Sequence, residues 1–160
     1  MPVQIVKSNP LSIYLNEMSS LVFNGPGRIS AGSQVFLLKG SSVTFGNDFH
    51  ISMDVKIYSQ ESITLGDYIT VGWGTQIMDT DFHATISRDT GNAYPQTKPI
   101  IIGNHCWICT HCQVMKGTVI PDNVIVGSKS LCNKRYDVPS YSVIAGTPAV
   151  FRKEGLTYER

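Results

Sequence analysis

The chain has 160 residues, 13 Lys plus Arg against 12 Asp plus Glu, a formal net charge of +1 and 42% hydrophobic residues. That length supplies one core, read here as a single domain over 1–160. A balance so near neutral excludes the basic footprint of nucleic-acid binding. MPVQIVKSNP lacks a signal-peptide pattern and no apolar run is long enough to span a bilayer, so a cytoplasmic protein is expected.

In chain order, the pattern before residue 45 is weak, although Ile29 and Val35 are six apart and predict an opening, imperfect coil. A six-residue beat then runs through Phe45, Ile51 and Ile57, slips by two at Ile63, and resumes at Leu65, Val71 and Ile77. It is clearest at Ile102, Ile108, Val114, Ile120, Val126 and Cys132, with Cys106, Cys112, Thr118, Val124 and Ser130 four residues after successive members. A helix repeats at three and four and a lone strand alternates, so this period fits neither. It fits an all-β solenoid of short strands, each hexad giving one side of a coil and one aliphatic side chain to a continuous core. Glycines follow the inward residue at 46, 66, 72, 103 and 127, as tight corners require.

Cys106, Cys109 and Cys112 stand beside His105 and His111 in C-x2-C-x2-C order, which is metal-ligand spacing in isolation. In the solenoid register Cys106 and Cys112 fall on small inward positions and Cys132 on an aliphatic one, where a thiol acts as a small hydrophobe. Successive sides of a coil face different ways, so these thiols diverge, and no metal is expected. Four thiols without a disulfide framework fit a reducing compartment.

The beat breaks between Ile77 and Ile102, where MDTDFHATISRDTGNAYPQTKPI carries Pro, Gly, Asn and charges. So long a connection inside a repeat domain tends to be functional, and it predicts an arm over about 79–99. His83 sits at its base with Asp79 and Asp81 before it: a titratable base with candidate carboxylate orienters, or else a solvated loop histidine.

The order of DTDFH, the return IIIGNHCWI and the closing DVPSYSVIAGTPA resembles the hexapeptide-repeat acyltransferases, and among them sugar O-acetyltransferases of the galactoside, maltose and nodulation-factor type. The resemblance covers about residues 43–153. It implies a left-handed parallel β-helix with one long excursion loop and a short C-terminal tail or helix over about 149–160. It also implies acetyl-CoA as co-substrate, a carbohydrate acceptor, and a homotrimer with sites between subunits. His83 matches the family's catalytic histidine, a general base that deprotonates the acceptor hydroxyl as it attacks the thioester. Trp107 matches a residue of the active-site wall, and Asp81, Ser52 and Asp54 are placed on the acceptor side. Thr110 and Ser128 match positions along the CoA arm. Lys134 and Lys153 match basic residues that meet the cofactor phosphates, with Arg135 and Arg152 as helpers.

The chain departs from the pattern where Ser52 replaces an acceptor-contacting asparagine, Cys109 a glycine and Lys129 a small corner residue, and where two residues are added around Arg135 and Tyr136. Cys109 leaves a covalent acyl step open. Other readings are N-acetylation of an aminosugar, a zinc enzyme of the γ-carbonic-anhydrase type using His50, His105 and His111, and a non-catalytic scaffold.

Overall fold

The computed structural model describes residues 9–159. Of twenty short strands, seventeen wind into a three-sided parallel β-helix, two form a hairpin and one pairs antiparallel at the end, with no helical segment among the described residues. One side stacks six strands from Ser12–Leu15 to Leu131–Cys132, and the second stacks five from Ser20–Phe23 to Val119–Ile120. The third runs from Gly27–Ile29 through Phe49–Ile51, Thr70–Val71, Trp107–Ile108 and Ile125–Val126 to Val143–Gly146.

The coils differ in circumference. Ser12 pairs with Gln34 and Gln34 with Lys56, 22 residues on each time, whereas Lys56 pairs with Gln76, 20 on. Trp107 pairs with Ile125 and Ile125 with Val143, both 18 on, so only these later coils consist of three six-residue sides. The extra residues lengthen sides: Val43 with Phe45, Ile63 with Leu65, and Ile100 with Ile102 all point inward from second-side strands. The slip at Ile63 is therefore a longer side. The chain before residue 45 forms full, wider coils rather than an imperfect opening one.

Inside, the expected column is fully enclosed: Ile51, Ile57, Val71, Ile77, Ile108, Val114 and Val126 are all 0% exposed. Burying each such side chain contributes about 1.5–3 kcal/mol. Small inward residues answer backbone groups that a corner would leave unpaired. Thr75 Oγ1 donates to the Cys109 carbonyl (3.0 Å) and accepts from the Cys112 amide (3.2 Å).

The corner between the second and third sides explains the Gly-Asn and Gly-Asp pairs of the sequence. The amide of Asn47 donates to Asp67 Oδ1 (2.7 Å), that of Asp67 to Asn104 Oδ1 (2.8 Å), and that of Asn104 to Asp122 Oδ1 (2.7 Å). A Cβ on Gly46 would lie 2.5 Å from both Asp67 Oδ1 and the Gly66 carbonyl, so the ladder needs glycine before Asn47, Asp67 and Asn104, each of which has a further rung against it, whereas Asp122 at its end follows Pro121.

The excursion leaves from Gln76–Met78, at the corner between the first and second sides, and folds as a hairpin, Thr85–Ile86 against Ala93–Tyr94. At its base Asp79 is 0% exposed and accepts from Ser59 Oγ (2.8 Å) and from the amides of Gln60 (2.7 Å) and Glu61 (3.0 Å). Phe82 packs edge-on against Tyr58, the last ring of a stack with Tyr14 and Phe36 on the first side. Past the last coil the chain reverses into an antiparallel strand, Ala149–Lys153, and the following tail returns along the third side, where the Leu156 amide donates to the Tyr141 carbonyl (3.0 Å).

Candidate functional site

The outward residues of the third side form a straight column: Arg28 pairs with His50, His50 with Thr70, Thr70 with Trp107, and Trp107 with Ile125. Strands about 4.8 Å apart put one side chain on each rung. Around the Thr70 and Trp107 rungs lies a groove of about 470 Å3 that gathers Ser52, Trp107, Cys109, Thr110 and Ser128. Four of the residues expected at the site thus share one wall. Thr110 Oγ1 donates to Ser128 Oγ at 3.3 Å, aligning two hydroxyls on successive rungs. Gly72 forms the floor: a Cβ there would lie 2.7 Å from the Thr110 amide nitrogen and 2.8 Å from the Cys109 carbonyl carbon.

The other expected residues lie apart from this groove. His83 is exposed on the arm and has no hydrogen-bond partner among the described residues. The two carboxylates before it are engaged elsewhere. Asp79 is turned into the coil wall, and Asp81 pairs with Lys116, whose ammonium also donates to the Pro95 carbonyl (2.5 Å). These contacts clamp the arm to the coils instead of orienting the imidazole. Asp81 also lines a hollow of about 470 Å3 on the first side with Met78, Met115 and Lys116, not the groove. Asp54 sits at the exposed corner after the Phe49–Ile51 strand, in a left-handed conformation (φ 58°). Lys134 places its ammonium 5.6 Å from the centre of the Tyr136 ring, and Lys153 is exposed at the end of the last strand. The added pair there is structural: Tyr136 joins the core and Arg135 bridges to Val119.

The cysteines are free and buried. Cys106 Sγ donates to the Pro121 carbonyl (3.1 Å) and Cys112 Sγ to the Gly127 carbonyl (3.2 Å). Burial pushes the Cys109 thiol up to about 11, and those of Cys106 and Cys132 up to about 12. A thiol that ionises near 11 is protonated at neutral pH and is a poor nucleophile, which argues against an acyl-enzyme on Cys109. The histidines are dispersed. His50 Nε2 lies 3.0 Å from Arg28 Nη2, and His105 Nδ1 lies 3.2 Å from Asn123 Oδ1. No three His, Cys, Asp or Glu side chains converge as metal ligands among the described residues.

Sequence reasoning missed Tyr158 and Trp73, which also line the groove. Tyr158 stacks on His105 (4.9 Å between ring centres) and tilts against Trp107 (5.5 Å). A larger, more open hollow of about 780 Å3 around Arg28 and His50 lies lower on the same side and holds none of the residues expected for acyl transfer, only His50 of the zinc reading.

No family model matches the chain. It is 30% identical over 142 residues to a protein of Escherichia coli (strain K12) named as a colanic acid biosynthesis acetyltransferase, WcaF, covering 79% of this chain and 77% of that one. It is 29% identical over 114 residues to galactoside O-acetyltransferase of the same strain, covering 71% of this chain but spanning only 55% of that protein. Among solved structures, a hexapeptide-repeat acetyltransferase of Vibrio cholerae in complex with acetyl coenzyme A superposes with a TM-score of 0.62 at 26% identity, over 82% of this chain and 71% of that one.

Proposed function

Since this chain belongs to the hexapeptide-repeat acetyltransferases, we propose that it transfers an acetyl group from acetyl-CoA directly to a hydroxyl of a sugar or surface-polysaccharide precursor, with His83 as general base. The observation that carries this reading is the groove uniting Ser52, Trp107, Thr110 and Ser128 on one side of the coil. The complex of the Vibrio cholerae relative with acetyl coenzyme A supports the choice of donor.

The acceptor hydroxyl is too weak an acid to ionise at neutral pH. A neutral imidazole within hydrogen-bond reach takes its proton as the oxygen attacks the thioester carbonyl. The C–O bond forms and the tetrahedral intermediate collapses with loss of the C–S bond. The imidazolium returns the proton to the departing thiolate. In this reading Thr110 and Ser128 flank the CoA arm, Trp107 forms an apolar wall beside the thioester, and Ser52 and Asp54 face the acceptor. Lys134 and Lys153 meet the cofactor phosphates as charge partners. Asp81 holds the arm through Lys116, an indirect contribution to placing His83.

The arm leaves at the corner between the first and second sides while the groove is on the third. That separation supports a homotrimer in which His83 of one copy faces the groove of the next, so that assembly itself brings base, donor and acceptor together.

The test is thiol release from acetyl-CoA by wild-type and His83→Ala protein against mono-, oligo- and nucleotide-linked sugars and aminosugars. Acceptor-dependent release, reduced about a hundredfold or more in the variant, is expected. Equal turnover in the two proteins would remove His83 from the mechanism. Release confined to amino acceptors would replace O- by N-acetylation, and absence of both release and CoA binding would overturn the assignment.

A further inference from the structure

The tail after Lys153 contributes nothing to the enclosed hydrophobic core, whose last member is Ala149. It is nonetheless held against the third side at two points. The Leu156 amide donates to the Tyr141 carbonyl (3.0 Å), and two residues later the Tyr158 hydroxyl donates to the Tyr68 carbonyl (2.8 Å), with Thr70 Oγ1 (3.2 Å) and the Cys106 carbonyl (3.3 Å) also in reach. A hydroxyl has one proton to give, so the short contact to Tyr68 is the donor bond and Thr70 can donate in return. Ordering such a tail costs about 1–2 kcal/mol per residue, which these contacts must offset.

At the second anchor the tail presents an aromatic face. The Tyr158 ring lies nearly parallel to His105 (18°) and inclined to Trp107 (38°), and Tyr158 and Glu159 line the same groove as Trp107, Thr110 and Ser128. The coil surface beneath the tail is the outer face of a parallel sheet. With the tail in place it becomes a slot with the indole on its flank.

We propose that Tyr158 is a positioning residue of the acyl-donor site: it sets the Trp107 indole and walls the slot that takes the thioester end of acyl-CoA. This rests on the transfer reaction proposed above. A flexible acyl-pantetheine chain loses conformational freedom on binding, and a preformed slot lowers that cost. Removing the ring should therefore weaken donor binding while the chemical step, which depends on the base, is less affected.

The experiment measures CoA affinity by calorimetry, and KM for acetyl-CoA and kcat, for wild-type, Tyr158→Phe and Tyr158→Ala proteins, with a melting midpoint for each. Trp107 emission is followed in a Trp73→Phe background, which leaves a single indole. Tyr158→Ala is expected to raise the CoA Kd and the acetyl-CoA KM about tenfold, with kcat changed by less than about threefold, and to shift Trp107 emission without ligand. Tyr158→Phe, which keeps the ring and loses one anchor, should fall between and covers the case in which the alanine variant does not fold. Unchanged CoA affinity in folded variants overturns the proposal, even if the emission shifts, because the tail would then be packing alone. Equal losses in kcat and kcat/KM also overturn it. No CoA affinity in the wild-type protein removes the transfer reading and this proposal together, whereas wild-type affinity retained by the variants removes only the latter.

Discussion

The arm that carries His83 and the groove that carries Trp107 are built in opposite ways. The arm is an exposed two-stranded hairpin fixed at its base by the buried Asp79 carboxylate and the Asp81–Lys116 pair. The groove is laid on parallel rungs whose undersides are the enclosed core, with Val71, Ile108 and Val126 at 0% exposure. Exposed residues of the arm can change with little effect on folding, and the inward residues beneath the groove cannot.

His83→Ala is the largest expected effect that respects this contrast, with turnover reduced about a hundredfold or more and an unchanged unfolding midpoint. A lowered midpoint in that variant would erase the distinction. On the groove side, the buried thiols should make the coils sensitive to alkali. Cys106, Cys109 and Cys132 ionise near 9.0 in an exposed chain but near 11 to 12 in the fold. Their folded pKa is raised, so their contribution is complete below pH 9 and is lost as pH climbs toward 12, by up to about 1.4 kcal/mol per pH unit each for Cys106 and Cys132 and by less for Cys109, which lies nearer solvent. Urea unfolding from pH 8 to 10.5 should show a shallower decline in a Cys106→Ala, Cys132→Ala double variant; parallel declines would refute the assignment.

Gly72→Ala pushes a methyl into the backbone of the next rung and should destabilise by about 1–3 kcal/mol, read from chemical denaturation. Asp79→Asn keeps the size of the clamp but removes its charge. With charge-assisted bonds contributing about 1.5–3 kcal/mol, the loss should appear as faster proteolysis within 79–99 together with a modest drop in overall stability. An unchanged cleavage pattern would show that the arm does not depend on this carboxylate. The smallest effect is expected for Cys109→Ser, with turnover within about threefold of wild type because the thiol is protonated at neutral pH. Loss of activity with retained CoA affinity would revive a covalent step.

How much of this was legible depended on the size of the coil. Where coils have 18 residues, the beat of Ile102 to Cys132 names the inward residues one by one, and each is buried. Where they have 22, the same inward role falls on Val35, Leu37, Val43 and Phe45 at intervals alternating between two and six, so the six-residue beat is faint there and the first coils read only as an imperfect opening. The arm and its histidine showed as a break in the beat. The roles of Asp79 and Asp81 did not, because their partners, the amides of Gln60 and Glu61 and the ammonium of Lys116, come from neighbouring coils. Tyr158 was invisible for the same reason, tilting against a tryptophan 51 positions earlier with no periodic signal between them.

The Asn-Asp ladder at the second corner has a consequence for how such a protein can diversify. Its middle step, from the Asp67 amide to Asn104 Oδ1, joins residues on either side of the excursion and at 2.8 Å is within 0.1 Å of the steps that span ordinary coils. The insertion departs from a different corner, so the spine passes it undisturbed. A longer, shorter or exchanged hairpin could be spliced beyond the Asp79 and Asp81 clamp, at about 83–94, without retuning the wall beneath, making the arm a replaceable tool on a fixed handle.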